Sequence, residues 1–195
     1  MLYKFFVKRF LDVLVSSFIV ILLIPITILI FIFSCLIDKE FNIIFRQQRP
    51  GLNGRIFTIY KYKTMRDLEL NNKLSDLQRV TIVGKFLRIS SIDELPQFYN
   101  ILKGEMSLIG PRPLLVNYLN KYTPYQFKRH NVRPGITGLA QISGRNNLTF
   151  EKRFILDVNY VENLSLLLDL KIFLKTFFYI LKKQGVSVQD PNEFR

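Results

Sequence analysis

Tryptophan is absent from this 195-residue chain, and histidine and cysteine occur once each, as His130 and Cys35. A single cysteine excludes an intrachain disulfide and any metal site of the CxxC kind, and it suits a reducing compartment. A single histidine excludes histidine-rich metal sites and counts against a histidine-centred triad. Acidic residues are also few: 15 Asp and Glu against 28 Lys and Arg leave a formal net charge of +13. Such an excess selects anionic partners, whether nucleic acid, a phospholipid surface or a phosphorylated substrate. No internal repeat and no low-complexity tract is present. The length suits one domain, or one domain with a membrane element. Apolar residues make up 49 % of the chain, 18 of them Phe, which is enough for a real core.

Charge is missing altogether from residues 13–37, VLVSSFIVILLIPITILIFIFSCLI. As one helix this run extends roughly 37 Å, more than a bilayer needs. It is too long for the apolar region of a signal peptide, and no A-x-A-like cleavage site follows it. Pro25 sits at its midpoint, where proline removes a backbone hydrogen bond and kinks a helix. Positive charge flanks both ends, with Lys4, Lys8 and Arg9 before the run and Lys39, Arg46, Arg49 and Arg55 after it. By the positive-inside rule both ends belong on the cytoplasmic side. A helix that enters, bends at Pro25 and returns satisfies that rule. A straight or kinked transmembrane helix is the alternative, since real spans tolerate proline.

The remainder reads as a compact α/β unit, mostly helical with short strands. The segment IIFRQQRPGLNGRIFTIYKYKTM predicts two strands around a PGLNG turn, because Pro-Gly and Asn-Gly are turn formers. Residues 67–80 are polar and predict a helix or loop, and helices follow at about 93–103, 113–121 and 150–162. RPGITG, residues 133–138, predicts a turn. The stretch SLLLDLKIFLKTFFYILKK, residues 165–183, predicts a helix with Lys171, Lys175, Lys182 and Lys183 as its cations. It either packs on the core with a basic edge or lies at an anionic membrane surface.

Within SIDELPQ two carboxylates, Asp93 and Glu94, stand side by side between Arg88 and Arg112. Ser91 and Glu94 fit the S-x-x-E capping box, in which the serine caps a helix and the glutamate reaches back. Pro96 also belongs near a helix start. A helix N-terminus favours anions, so it keeps Asp93 ionised and welcomes a phosphate beside it. An ionised carboxylate can attack phosphorus, and two carboxylates can hold Mg²⁺ against substrate phosphates. Arginine forks match phosphate oxygens.

RISSIDELPQFYNILKGEMSLIGPRP, residues 88–113, followed by RPGITGLAQISGRN, residues 133–146, resembles the bacterial monotopic phosphoglycosyl transferases. The likeness extends through the whole chain, from the proline-bearing membrane segment through QQRPGLNGRIFTIYKYKTM to the RPGITG block. The length is similar to the small form of that family, little more than a catalytic core, without the added N-terminal spans of larger forms. The resemblance implies transfer of a sugar 1-phosphate from a UDP-sugar to polyprenol (undecaprenyl) phosphate with release of UMP. It also implies Mg²⁺, membrane phospholipid as a partner, and a site at the cytoplasmic face of the bacterial inner membrane. In its terms residues 1–40 are a re-entrant membrane helix, and 41–195 are a cytoplasmic-face catalytic domain with interfacial helices. Asp93 inherits the role of nucleophile and Glu94 that of metal ligand or proton handler. The family often has Ser-Pro at the membrane bend where this chain has Ile24-Pro25, so a hydroxyl for a freed carbonyl is missing there.

Lys61 and Lys63 alternate with tyrosines and share one strand face. They are a solvated face, or Lys61 belongs to the site, as the resemblance favours. Arg88, Arg112 and Arg145 are candidate phosphate or nucleotide contacts, with surface salt bridges or loop closure as the plainer roles. The prolines around Arg112 in GPRP stiffen its backbone. Asp157 is a candidate substrate contact by resemblance and an ordinary ion pair otherwise, and His130 reads as structural. A non-enzymatic, membrane-anchored basic protein binding anionic lipid or nucleic acid is the competing class. It leaves the acid pair unexplained, because adjacent carboxylates repel unless metal or chemistry requires them. No RNA-binding aromatic signature is present. Neither the sugar nor the oligomeric state is written in any short motif.

Overall fold

The computed structural model describes residues 3–67, 75–144 and 148–181. Over these the chain is mostly helical with short strands. The uncharged run lies in helix α1 (Lys8–Phe33), extended by π-helical turns at Tyr3–Val7 and Ser34–Asp38. The helix continues through Pro25. Two residues beyond it, Thr27 donates to the Leu23 carbonyl at 2.7 Å and shares a hydrogen bond with the Tyr62 hydroxyl. Lys39 then takes a left-handed conformation (φ 56°) and ends the helix with its N–H on the Ser34 carbonyl.

Residues Lys8–Asp38 are long and apolar enough to cross a membrane. Phe10, Leu14, Phe18, Ile21 and Ile28 are exposed, at spacings that place them on one stripe. The opposite side packs on the protein. Ile19 and Val20 meet a core of Phe57, Ile59, Phe98, Ile101 and Met106. Ile26 and Ile30 meet Tyr62, Val83 and Leu87.

Strands β1 (Ile44–Pro50) and β2 (Ile56–Tyr62) form the expected antiparallel hairpin, Ile44 opposite Tyr62 and Pro50 opposite Ile56. Its turn uses left-handed Asn53 (φ 54°) and Gly54 (φ 76°), the residue types that tolerate that region. Of the polar stretch 67–80, residues 68–74 lie outside the described residues, and α2 (Asp76–Arg79) is one short helix.

Helix α3 (Ile82–Ser90) is an addition to the sequence expectations. Its first N–H groups are capped from far away: Asp38 accepts from the Ile82 and Val83 amides at 3.1 Å each. Thr81 caps the Gly84 amide at 2.9 Å. A Cβ on Gly84 would lie 2.2 Å from the Thr64 carbonyl oxygen, so α3 can approach the end of β2 only with glycine there.

Helix α4 (Gln97–Lys103) ends on left-handed Gly104 (φ 86°). Arg9 donates to the Ile101 and Leu102 carbonyls at 2.6 and 3.0 Å, and Arg133 to that of Gly104 at 2.8 Å. Cations suit the negative end of a helix. Strand β3 (Ser107–Ile109) follows, then a 3-10 helix at Val116–Lys121 where a helix was expected, and α5 (Pro124–Phe127).

RPGITG is more than the expected turn. Its Gly135–Thr137 forms β4, parallel to β3, with Gly135 opposite Ser107 and Thr137 opposite Ile109. That pairing is long-range, and turn-forming composition does not report it. The chain closes with α6 (Leu139–Ser143), α7 (Phe150–Glu162) and α8 (Leu166–Leu181). The last helix packs on the core along one side. Ile172 and Asp169 are buried, and Asp169 accepts from Tyr3 and Lys8 at the start of the chain. Leu167, Leu170, Phe173, Leu174, Phe177 and Phe178 are exposed. Lys182 and Lys183 lie outside the described residues.

Candidate active site

Helix α3 stops because Ser91 adopts the left-handed conformation (φ 57°, ψ 17°), with its N–H on the Arg88 carbonyl at 3.2 Å. A non-glycine residue costs about 1 kcal/mol or more in that region. The chain then makes one 3-10 turn, Ile92–Glu94, before α4 begins at Gln97. The acid pair thus occupies the joint between two helices.

The capping box is not formed. Ser91 makes no side-chain cap bond, and the Glu94 carboxylate is engaged elsewhere. Lys61, on β2, donates to Glu94 Oε1 at 2.8 Å. Arg112 donates through Nη2 to Oε1 at 2.6 Å and through Nη1 to Oε2 at 3.3 Å. Burial alone would raise the Glu94 carboxyl; the charges of Arg112 and Lys61 overcome it and hold the group well below the usual carboxylate range.

Asp93 differs from its neighbour. Its carboxyl is pushed up to about 6, first by burial and then by the Glu94 charge, against Lys61, Arg112 and Arg88. None of the described residues supplies it with a hydrogen bond. At neutral pH it is an ionised carboxylate ringed by three cations yet held by none of them. Charge without a fixed partner is what a nucleophile or a metal ligand requires.

Arg88 stands on the last turn of α3 and anchors its Nε on the Thr64 hydroxyl at 2.9 Å. Of the site residues expected from sequence, Asp93, Glu94, Lys61, Arg88 and Arg112 come together. Lys63, just past the end of β2, is instead paired with Glu40 at 3.0 Å and Asp67 at 2.8 Å. Asp157, on α7, is 1 % exposed and accepts from Arg129 Nε and Nη2 at 3.1 and 2.7 Å. For Asp157 the ion-pair reading describes the contacts. Arg145 lies outside the described residues. His130 is buried with its Nδ1 on the Gly51 carbonyl at 3.1 Å, a structural placement as expected.

Arg129 and Gln97 are among the buried polar residues that sequence reasoning overlooked. Arg129 sits in KRH, a cluster that reads as a solvated basic surface, yet it is 2 % exposed. Gln97 of DELPQ is equally enclosed, and its Nε2 has no hydrogen-bond partner among the described residues. Its only signal was its position four residues after Asp93.

Among the described residues no group of three or more His, Cys, Asp or Glu side chains converges on one point. Asp93, without a donor among the described residues, fits Mg²⁺ in its chemistry, whereas both Glu94 oxygens accept from Lys61 and Arg112. The ion takes hard oxygen donors, is often held by one or two carboxylates, and draws its other ligands from water and substrate phosphates.

The family described as bacterial sugar transferase matches residues 3–183. The uncharacterized sugar transferase EpsL of Bacillus subtilis is 52 % identical over 147 residues, covering 74 % of this chain and 73 % of EpsL. The galactosyl transferase CpsE of Streptococcus agalactiae serotype III is 45 % identical, over 92 % of this chain and 43 % of CpsE. The UDP-glucose:undecaprenyl-phosphate glucose-1-phosphate transferase of Klebsiella pneumoniae is 42 % identical, over 88 % of this chain and 39 % of that protein. The chain therefore spans less than half the length of the latter two relatives. Against a merely membrane-anchored basic protein, the acid pair among its cations and a match over nearly all the described residues agree, and the chain belongs to the bacterial sugar transferase family.

Proposed function

We propose that the chain transfers a sugar 1-phosphate from a UDP-sugar to polyprenol phosphate, releasing UMP, through a covalent intermediate on Asp93. The observation that carries this reading is the asymmetry of the dyad. Glu94 is tied by Lys61 and Arg112, while the adjacent Asp93 carboxylate has charge and no donor. The relative from Klebsiella pneumoniae, named for glucose 1-phosphate transfer to undecaprenyl phosphate, supports the choice of donor and acceptor classes.

In the first step an Asp93 oxygen attacks the phosphorus that bears the sugar. A P–O bond forms there, and the bond to the UMP oxygen breaks. In the second, a phosphate oxygen of the polyprenol attacks the acyl phosphate, the diphosphate-linked product forms, and the Asp93 carboxylate leaves. Arg88, Lys61 and Arg112 stabilise charge on the transferring phosphate. Glu94 holds Lys61 and Arg112 in place for that task. Mg²⁺ held by Asp93 would neutralise diphosphate charge when bound.

The same reading places the chemistry at the cytoplasmic membrane face, with α1 as a re-entrant anchor. Arg9 near one end of α1 grips α4, Asp38 at the other grips α3, and Thr27 between them meets β2. A helix held along its length by one body supports an anchor that enters and leaves the membrane on the same side. The exposed apolar stripe of α1 and the exposed faces of α3 and α8 face lipid. The deciding experiment is the intact mass of the protein after mixing with UDP-sugars and Mg²⁺ but no lipid acceptor. A gain of one sugar phosphate mapping to Asp93, lost in Asp93→Asn, is expected. A fully active Asp93→Asn enzyme, or turnover through a ternary complex with no adduct, would overturn it.

A further inference from the structure

Arg112 belongs to GPRP, residues 110–113, a segment in neither helix nor strand. Its side chain is 42 % exposed, and its fork meets Glu94 through Nη1 and Nη2. Where the backbone of the segment sits sets how far that fork can reach.

Arg129 supplies that fixture. Its Nη2 donates to the Arg112 carbonyl at 2.6 Å and to Asp157 Oδ2 at 2.7 Å, while Nε reaches the same carboxylate oxygen at 3.1 Å. Nη1 donates to the Tyr122 hydroxyl at 3.0 Å. The rings of Tyr122 and Phe154 lie 5.7 and 5.5 Å from the guanidinium carbon. The Arg129 and Asp157 side chains are each 1 % exposed, so this guanidinium is held on every side.

Stability is a poor reason for such a pair, because apolar residues of the same volume often serve as well. A planar fork that meets a carboxylate, a hydroxyl and a backbone carbonyl at once is a device for placing the carbonyl, and lysine cannot reproduce it. We propose that Arg129 is a positioning residue for the transfer reaction: oriented by Asp157, it sets the GPRP backbone so that the Arg112 fork meets Glu94. Asp157 then acts through Arg129 and does not touch substrate. The proposal rests on the transferase reading given above.

A double-mutant cycle tests it. Arg129→Lys is made alone and together with Arg112→Lys, and kcat and KM are measured for UMP release with undecaprenyl phosphate in detergent micelles. The donors are UDP-glucose, UDP-galactose and their N-acetylated counterparts. Rates are compared at temperatures where denaturation curves show each variant folded. Asp157→Asn, which keeps the shape, provides a second entry should Arg129→Lys fail to fold. Arg129→Lys should lower kcat/KM about tenfold or more in the wild-type background and less than about twofold in the Arg112→Lys background. Equal losses in both backgrounds, per folded enzyme, would mean that the pair only stabilises the fold, and would overturn the proposal. Absence of UMP release by the wild-type protein from every donor is a different result and sinks the transferase reading itself.

Discussion

Arg112 and Glu94, 18 residues apart in sequence, meet fork to carboxylate, with Nη2–Oε1 at 2.6 Å and Nη1–Oε2 at 3.3 Å. The Lys61 ammonium shares Oε1 at 2.8 Å. One carboxylate thus gathers two cations of the site, and the neighbouring Asp93 carboxylate has no hydrogen bond from the described residues.

Glu94→Gln keeps the shape and removes the charge that gathers them. UMP release should fall by about a hundredfold, the scale of losing one well-placed electrostatic group. A purely capping glutamate would instead cost about 1 kcal/mol of stability and leave the rate intact. Steady-state kinetics beside urea denaturation separates the two results.

His130 predicts how stability depends on pH. Its Nδ1 lies on the Gly51 carbonyl, so Nδ1 carries the proton and donates, and the buried Nε2 has no partner among the described residues. Burial, with Arg129 nearby, lowers its pKa to about 4 from 6.5. The unfolded chain therefore binds the proton more readily. Its contribution is fully present above the unfolded value and is lost as pH falls towards about 4. The steepest slope should approach roughly 1.4 kcal/mol per pH unit. Denaturant titrations from pH 7 to pH 4.5, compared with His130→Asn, should show a component of this slope that the variant lacks.

Asp38→Ala leaves the Ile82 and Val83 amides uncapped at the start of α3, the helix that delivers Arg88. The cost should be about 1–2 kcal/mol. Asp38→Asn, which retains an acceptor, should lose less. Thermal denaturation in detergent would check the order of the two variants; equal stability of Asp38→Ala and wild type would show that this distant cap contributes nothing.

Topology is open to chemical labelling. In a Cys35→Ser background, Lys4→Cys and Lys39→Cys should both resist a membrane-impermeant maleimide in intact cells and react after permeabilisation. Reaction of one of them from outside would restore the simple transmembrane span.

Much of this protein was decided by near neighbours. The PGLNG hairpin follows from turn chemistry inside a few residues, and the uncharged run over 13–37 makes a helix of membrane length. Helix α7 coincides with the expected span 150–162. The acid pair and its bracketing arginines were legible because their motif blocks are contiguous in sequence.

Other features came only with tertiary structure. The local signal at Ser91 and Glu94 favoured a capping box, but a left-handed Ser91 and two distant cations draw Glu94 away. Helix α3 went unseen because its N-terminus is completed by Asp38, 44 residues before Ile82. RPGITG becomes a strand because β3 is there to pair with it. Asp157 finds Arg129 at a separation of 28 residues. Turn formers and apolar periodicity act through short-range sterics and burial, so the sequence alone specifies them. The partner of a buried charge depends on which segments the packed core brings within 3 Å or so, and only the folded chain decides that.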